Sequence, residues 1–241
     1  MTSRVVLVTG STSGIGLATG RRFAQRGDTV VFNSARSVAA GERLAAETPG
    51  SHYVRADIAV AGDCDRLIRD VLERFGQLDV LVNNAGTTKV IAHRDLEAAN
   101  VDMWREIFEV NVFGTWQLSV AAMAALKESR GSIVNVSSVA GVRPTGSSIP
   151  YAASKAALNH LTTLLAKVVG PEVRVNAVAP GLIDTPWTED WDTVRGFVRS
   201  VAPLGRTGTP DDVADVIVAL ATTSYVTGQI VVVDGGLSLA T

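Results

Sequence analysis

A phenol and an ammonium placed four residues apart could move protons together. Tyrosine occurs at positions 53, 151 and 225 and lysine at 89, 127, 155 and 167, yet Tyr151 and Lys155 share the stretch "YAASK". On a helix, residues four apart lie on one face, one turn apart, so the Lys155 ammonium can act on the Tyr151 phenol. A second chemical feature lies near the start, in "TGSTSGIG" at residues 9–16. Gly10 permits a tight turn. Gly14 and Gly16 let the backbone and a helix N-terminus approach a diphosphate, whose charge suits the helix dipole. The G-x-x-x-G-x-G spacing alone reads equally as a structural glycine turn. Its place between an apolar strand and a helix points to nucleotide binding.

Composition narrows the functional classes. The chain has 241 residues, 46% apolar, and a formal net charge of -2. That charge carries no footprint of nucleic-acid or anionic-membrane binding. One cysteine, Cys64, allows no internal disulfide framework and suits a reducing compartment, so a cytoplasmic location is expected. "MTSRVVLVTG" does not read as a secretion signal. No run reaches the ~18 apolar residues of a membrane span. His52, His93 and His160 are scattered, without ligand spacing to a cysteine, so no metal site is expected.

The elements that must position these residues alternate between short β-branched runs and helical stretches. Strands are expected at 4–10, 29–35, 51–58, 78–86, 132–138, 173–180 and 228–236. Between them, helices are expected to follow "TGSTS", at 37–48, 64–76, 102–129 and 151–169, and at 209–222, where Thr209 is the N-cap and Pro210 the first helical residue. Near-continuous Val/Ile strands point to a parallel sheet with helices on both faces. Residues 1–241 thus read as one doubly wound α/β domain of the Rossmann type, with a mostly parallel seven-stranded sheet. Residues 181–208 break the rhythm and carry Trp187 and Trp191. An insertion after a strand's carboxyl end is read as a substrate lid, with tryptophans packing a subunit interface as the alternative.

With these pieces in order, the sequence resembles the short-chain dehydrogenase/reductase family over nearly its whole length. The resemblance rests on "TGSTSGIG", "NNAG" (83–86), Asn111 in "NVFG", Ser138 in "NVSSVAG", "YAASK", "PGLIDT" (180–185) and "VDGG" (233–236). It implies a hydride transfer between a nicotinamide cofactor and a carbonyl/secondary-alcohol pair. It also implies catalytic roles for Asn111, Ser138, Tyr151 and Lys155. Tyr151 would be the general acid in reduction and the base in oxidation. A free phenol has a pKa of about 10, and lowering it by ~3 needs ~4 kcal/mol, which Lys155 and the oxidised nicotinamide's charge would help supply. Lys155 would also hold the nicotinamide ribose. Ser138, chosen over Ser137 by the family's spacing to the tyrosine, would bond the substrate oxygen. Asn111 would open a helix kink and hold a water linking Lys155 to solvent.

Cofactor contacts follow from the same resemblance. The turn residues Gly10, Ser11, Ser13, Gly14, Ile15 and Gly16 would hold the diphosphate. Asp57 and Ile58 would flank the adenine, although Asp57 also suits a helix cap. Asn83, Ala85 and Gly86 would line the cofactor. In "PGLIDT", Pro180 and Gly181 would also line the cofactor, and Ile183 and Thr185 would reach the carboxamide. Ser34 occupies the site where NAD-dependent members place Asp, and Arg36 follows it, a pairing suited to a 2′-phosphate. Ser13 stands at the family's other basic site and adds no support. NADP is therefore expected, with NAD possible and Arg36 as a solvated loop charge the alternative.

Two rivals stand beside NADP(H)-dependent carbonyl reduction. One is an NAD-dependent alcohol dehydrogenase of the same family. The other is a dinucleotide-binding regulator without turnover, which would not need all four catalytic residues. The resemblance also implies a homotetramer, built through the Tyr151 helix and the C-terminal helix and strand. The substrate is a small carbonyl or alcohol compound, lined by residues 87–100, 141–150 and 181–208. Acyl thioesters, steroids, sugars, quinones and diketones all stay open.

Overall fold

Each Val-rich run becomes a strand in the computed structural model, which describes residues 3–240. The chain begins with β1 (Val5–Val8), α1 (Gly14–Gln25), β2 (Thr29–Ser34), α2 (Val38–Glu47), β3 (His52–Arg55), α3 (Ala61–Phe75) and β4 (Val80–Asn83). Then follow α4 (Val101–Phe108), α5 (Thr115–Ser129), β5 (Ser132–Val136), α6 (Ile149–Val169) and β6 (Arg174–Pro180). The chain closes with α7 (Asp192–Val201), α8 (Pro210–Thr222), β7 (Ile230–Val233) and α9 (Leu237–Ala240).

The seven strands pair in the order β3-β2-β1-β4-β5-β6-β7, all parallel. The chain winds outward from β1 to β3, then crosses back to β4. That reversal opens a crevice beyond the carboxyl ends of β1 and β4, where such sheets bind ligands. The interior strands β1, β4 and β5 are buried throughout and mostly apolar because both faces are covered. One core layer packs Leu67, Leu118, Leu126 and Leu165 from α3, α5 and α6 against the sheet. The other packs Phe23 from α1, Leu44 from α2 and Val213 and Ile217 from α8. Burying each such side chain contributes roughly 1.5–3 kcal/mol, which fixes the sheet that carries the site.

A row of polar side chains crosses the first layer. Asn83 Nδ2 donates to Ser119 Oγ at 3.1 Å and to Asn135 Oδ1 at 2.9 Å, and Asn135 Nδ2 donates to Thr162 Oγ1 at 2.9 Å. Asn83 and Asn135 are register partners on β4 and β5. The row ties α5, the sheet and α6 together.

The structure corrects two expectations. Several strands stop short of the predicted ends: β3 ends at Arg55, β4 at Asn83, β5 at Val136 and β7 at Val233. The residues that follow turn away from the sheet and form the crevice wall. The helix expected over 102–129 is also interrupted, because Glu109–Gly114 forms a wider π-helical turn between α4 and α5. Gly114 lies so close to β3's exit that a Cβ there would sit 2.6 Å from the Ile58 carbonyl oxygen.

The 181–208 segment has its own order. A short helical turn at Pro186–Thr188 precedes α7. Its two stems are tied where Gly208 N–H donates to Leu182 O at 2.9 Å and Asp184 N–H donates to Gly208 O at 2.9 Å. Thr207 Oγ1 donates to Asp184 Oδ2 at 2.6 Å.

Candidate active site

The crevice is a cavity of about 1410 Å³ at the carboxyl edge of the sheet. Its floor begins with the turn between β1 and α1. Gly10 and Gly14 adopt φ of 59° and 54°, the left-handed region that glycine enters without strain. A Cβ on Gly16 would lie 2.5 Å from Asn84 Nδ2 and 2.6 Å from Gly10 O. Asn84 in turn donates to Thr9 O at 2.8 Å and Gly10 O at 2.9 Å, bracing the turn from β4. Ser13, the N-cap of α1, makes no side-chain capping bond. The first N–H groups of α1 thus face the crevice without a capping side chain. A diphosphate fits this cradle: it supplies acceptors for those donors and negative charge for the helix end.

Most residues expected to bind cofactor line this one cavity: Gly10, Ser13, Gly14, Ile15, Ser34, Arg36, Asp57, Ile58, Ala85, Gly86, Pro180, Gly181, Ile183 and Thr185. Three lie behind it. Ser11 is fully buried and its Oγ accepts from Asn33 N–H at 2.9 Å. Gly16 packs against Asn84, as described. Asn83 points into the buried polar row, and its neighbour Asn84 takes the crevice side. Alternation along the strand explains the exchange, since adjacent residues face opposite ways.

The catalytic candidates come from three elements. Ser138 follows β5, and its Oγ accepts from Ala140 N–H at 3.1 Å in a tight turn. Tyr151 and Lys155 lie on the first turns of α6. Ser148 caps that helix by accepting from Tyr151 N–H at 3.3 Å, and Pro150 occupies its first turn. Asn111 sits in the π-helical turn and does not line the cavity. Its Oδ1 accepts from Thr87 N–H at 2.8 Å, and its Nδ2 donates to Thr87 O and Ser154 Oγ, each at 3.0 Å. Ser154 donates to Tyr151 O at 2.7 Å. Asn111 thereby holds the segment after β4 against the helix carrying Tyr151. Nothing in the sequence marked Ser154, since a serine inside a helix carries no signal of its own.

Burial dominates the electrostatics. It raises the Tyr151 phenol above its ordinary value, and the Ser138 hydroxyl beside it acts in the opposite direction. Lys155 is only 4% exposed, and burial pulls its ammonium down to about 8. Lys155 Nζ donates to Val136 O at 2.9 Å and stands 5.7 Å from the centre of the Tyr151 ring. Burial dominates the phenol, and Lys155 is not among the groups that shift it, so the expected downward pull of Lys155 is not found here. The Trp187 ring packs edge-on to Tyr151 with centroids 6.4 Å apart, closing one side of the site. The result is a protonated phenol and a serine hydroxyl facing one cavity beside a buried ammonium. Such a set can protonate an oxygen and stabilise charge on it.

No cluster of metal-ligating side chains occurs among the described residues, and no helix among them is long and apolar enough to cross a membrane.

The chain is similar to known proteins in sequence and fold. A family model described as enoyl-(acyl carrier protein) reductase matches residues 10–238. The granaticin polyketide synthase chain named ketoacyl reductase 2, from Streptomyces violaceoruber, is 55% identical over 239 residues, covering 98% of this chain and 96% of that one. A Burkholderia xenovorans structure described as a short-chain dehydrogenase/reductase superposes with a TM-score of 0.93 at 36% identity, over 99% of each chain. A 3-ketoacyl-(acyl-carrier-protein) reductase of Brucella melitensis, complexed with NADH, superposes with a TM-score of 0.90 at 33% identity, over 98% of each chain. The chain belongs to the short-chain dehydrogenase/reductase family and is an oxidoreductase of nicotinamide dinucleotides on a Rossmann sheet.

Proposed function

We propose that this enzyme reduces the ketone of a 3-ketoacyl thioester, with NADPH as the cofactor and Tyr151 as the proton donor. The observation that carries the reading is the geometry: the Tyr151 phenol and the Ser138 hydroxyl share one cavity wall, with the Lys155 ammonium 5.7 Å from the phenol ring. A phenol held protonated at neutral pH is an acid, which suits reduction. The bound cofactor supplies the hydride. Ser138 donates a hydrogen bond to the substrate oxygen and Tyr151 delivers its proton there. Lys155 holds positive charge behind the phenol and orients the nicotinamide ribose. Asn111 keeps Thr87 and α6 in place around them.

The substrate class rests on the relatives named as ketoacyl reductases. An acyl chain would enter between residues 87–93 and the 181–208 segment, whose tied stems suit a lid hinged at Leu182–Asp184 and Thr207–Gly208. NADPH rests on Ser34, which offers a hydroxyl where a carboxylate would repel a 2′-phosphate, and on Arg36 at the cavity wall. Residues 1–241 would act as one catalytic domain in the cytoplasm. A homotetramer is supported by exposed apolar faces, with Trp116 and Val120 on α5, Leu164 and Val168 on α6 and Val232 on β7.

The test follows loss of reduced-nicotinamide absorbance with an acetoacetyl thioester, NADPH and NADH in parallel. Turnover that Tyr151→Phe lowers by roughly a hundred- to ten-thousand-fold supports the reading. Turnover only of secondary alcohols with oxidised cofactor would favour an alcohol dehydrogenase. Cofactor binding with no turnover of any carbonyl or alcohol would favour a regulator.

A further inference from the structure

We propose that Arg55, at the end of β3, closes the adenosine end of the cofactor site as a second ligand for a ribose 2′-phosphate, and so sets cofactor choice together with Arg36. The proposal rests on the NADPH reading above and extends it to a residue outside the main cavity.

A smaller cavity of about 570 Å³ adjoins the main one and shares Ala35, Arg36 and Asp57 with it. Its remaining lining is Arg55, Asp63 and Arg66. Arg55 is the register partner of Ser34, so both side chains lie on one face of the sheet at its carboxyl edge. Tyr53, one alternation earlier on β3, shares that face, and its hydroxyl lies 2.9 Å from Ser34 Oγ. Arg55 Nε donates to Ala35 O at 3.3 Å. That bond draws the guanidinium across the strand ends toward Arg36.

The charges in this cavity are not equally committed. Arg66 donates to Asp63 Oδ1 at 2.8 Å and to Arg55 O at 2.9 Å, and pairs with Asp70 at 3.6 Å. Asp63 Oδ2 accepts from Asp57 N–H at 2.8 Å, and Asp57 Oδ1 accepts from Ala59 N–H at 3.0 Å. Arg55 is close enough to influence Asp63 electrostatically, but both Asp63 oxygens already have partners. Neither Nη atom of Arg55, and no side-chain atom of Arg36, makes a hydrogen bond or ion pair with a described residue. With Asp63 offset by Arg66, the Arg36 guanidinium and the unbonded Nη atoms of Arg55 share the cavity with one further carboxylate, Asp57. Two planar forks around a doubly charged monoester form the strong, directional kind of hydrogen bond. A ribose hydroxyl offers them no charge to pair.

The experiment measures both cofactors in the wild type, Arg36→Ala, Arg55→Gln and Arg55→Lys. It adds calorimetric titration of adenosine 2′,5′-bisphosphate and of adenosine 5′-monophosphate. Arg55→Gln should lower the NADPH/NADH ratio of kcat/KM by about tenfold, through KM and not kcat. It should weaken the bisphosphate by a similar factor relative to the monophosphate. Arg55→Lys should restore only part of each loss, since it keeps the charge and loses the fork. A wild type that prefers NADH and binds both nucleotides equally would overturn the NADPH reading and this proposal together. A wild type that prefers NADPH, with the preference lost in Arg36→Ala and intact in Arg55→Gln, would overturn this proposal alone. An equal loss with both cofactors would assign Arg55 a merely structural role and also overturn it.

Discussion

Lys155 Nζ stands 5.7 Å from the centre of the Tyr151 ring, yet its hydrogen bond goes to the Val136 carbonyl and no carboxylate is among the groups that shift it. The protein thus buries a positive charge with only a backbone dipole for compensation. That arrangement has a stability cost and an identifiable pH dependence.

Lys155→Met should abolish reduction and stabilise the cofactor-free protein. The folded ammonium titrates at about 8 against 10.5 when unperturbed. The folded state therefore binds the proton less tightly than the unfolded one, and the penalty is fully present below about 8 and relieved as pH approaches 10.5. At neutral pH the gain has an upper bound of about 3 kcal/mol, less whatever the Val136 carbonyl loses. Urea denaturation at pH 7 and pH 10 checks this: the gain should shrink at the higher pH. A gain independent of pH would mean that the charge is not its source.

Reduction should fall on the alkaline side of pH 8, where Lys155 loses its proton, while the raised phenol of Tyr151 stays protonated. A pH profile of kcat/KM measures this limb. A flat profile far above pH 8 would remove the Lys155 charge from the mechanism.

Asn111→Ala removes the partner of both Thr87 backbone groups and of Ser154. Leaving buried polar groups unpaired costs roughly 1–3 kcal/mol each, so the two Thr87 groups together predict a loss of about 2–6 kcal/mol by chemical denaturation. Because Asn111 does not line the cavity, kcat should fall through displacement of α6 and not through lost substrate contact. Asn111→Asp keeps the acceptor for Thr87 N–H but turns a second acceptor oxygen on the Thr87 carbonyl, so it should not restore the stability that alanine loses.

Gly16→Ala should weaken cofactor binding more than it weakens the fold. The new methyl would meet the Gly10 carbonyl at 2.6 Å, and that backbone must move to admit it. Overpacking of this kind costs typically about 1–3 kcal/mol. Displacement of the phosphate turn should raise the cofactor Kd at least tenfold by calorimetry, roughly 1.4 kcal/mol.

Cys64 should not react with a disulfide reagent at neutral pH until the protein unfolds. Burial in the α3 layer raises its thiol to about 11, so the reactive thiolate is scarce. Rapid labelling of the folded protein would contradict the placement of this side chain.

The sheet and most of the cavity were legible because their signals are periodic or local. Val-rich runs gave strands buried on both sides, and Gly10 and Gly14 marked a turn that needs positive φ. What escaped depends on which way one residue faces. "NNAG" marks a functional stretch but does not say that Asn83 enters the core while Asn84 braces the phosphate turn. Asn111 was singled out, but its partners Thr87 and Ser154 lie far along the chain. The family resemblance placed a kink at Asn111, but helical periodicity could not express its extent as a π-helical turn over Glu109–Gly114, or the closeness of Gly114 to Ile58. Arg55 looks in sequence like any solvated charge at a strand end. Its register beside Ser34 exists only once β2 and β3 pair.

The polar row from Ser119 through Asn83 and Asn135 to Thr162 has a consequence for how the sheet chooses among its possible alignments. β4 and β5 are short and rich in valine, so apolar packing alone would tolerate β5 sliding along β4. Sliding by two residues could keep valines facing valines but would set Asn135 opposite Leu81 and break its bond with Asn83, at a cost of roughly 1–3 kcal/mol for the amide left unpaired. Sliding by one would turn every side chain to the other face. The amides thus penalise misaligned sheets more than they strengthen the aligned one, and the distance from Asn84's turn to Ser138's turn is set by that discrimination.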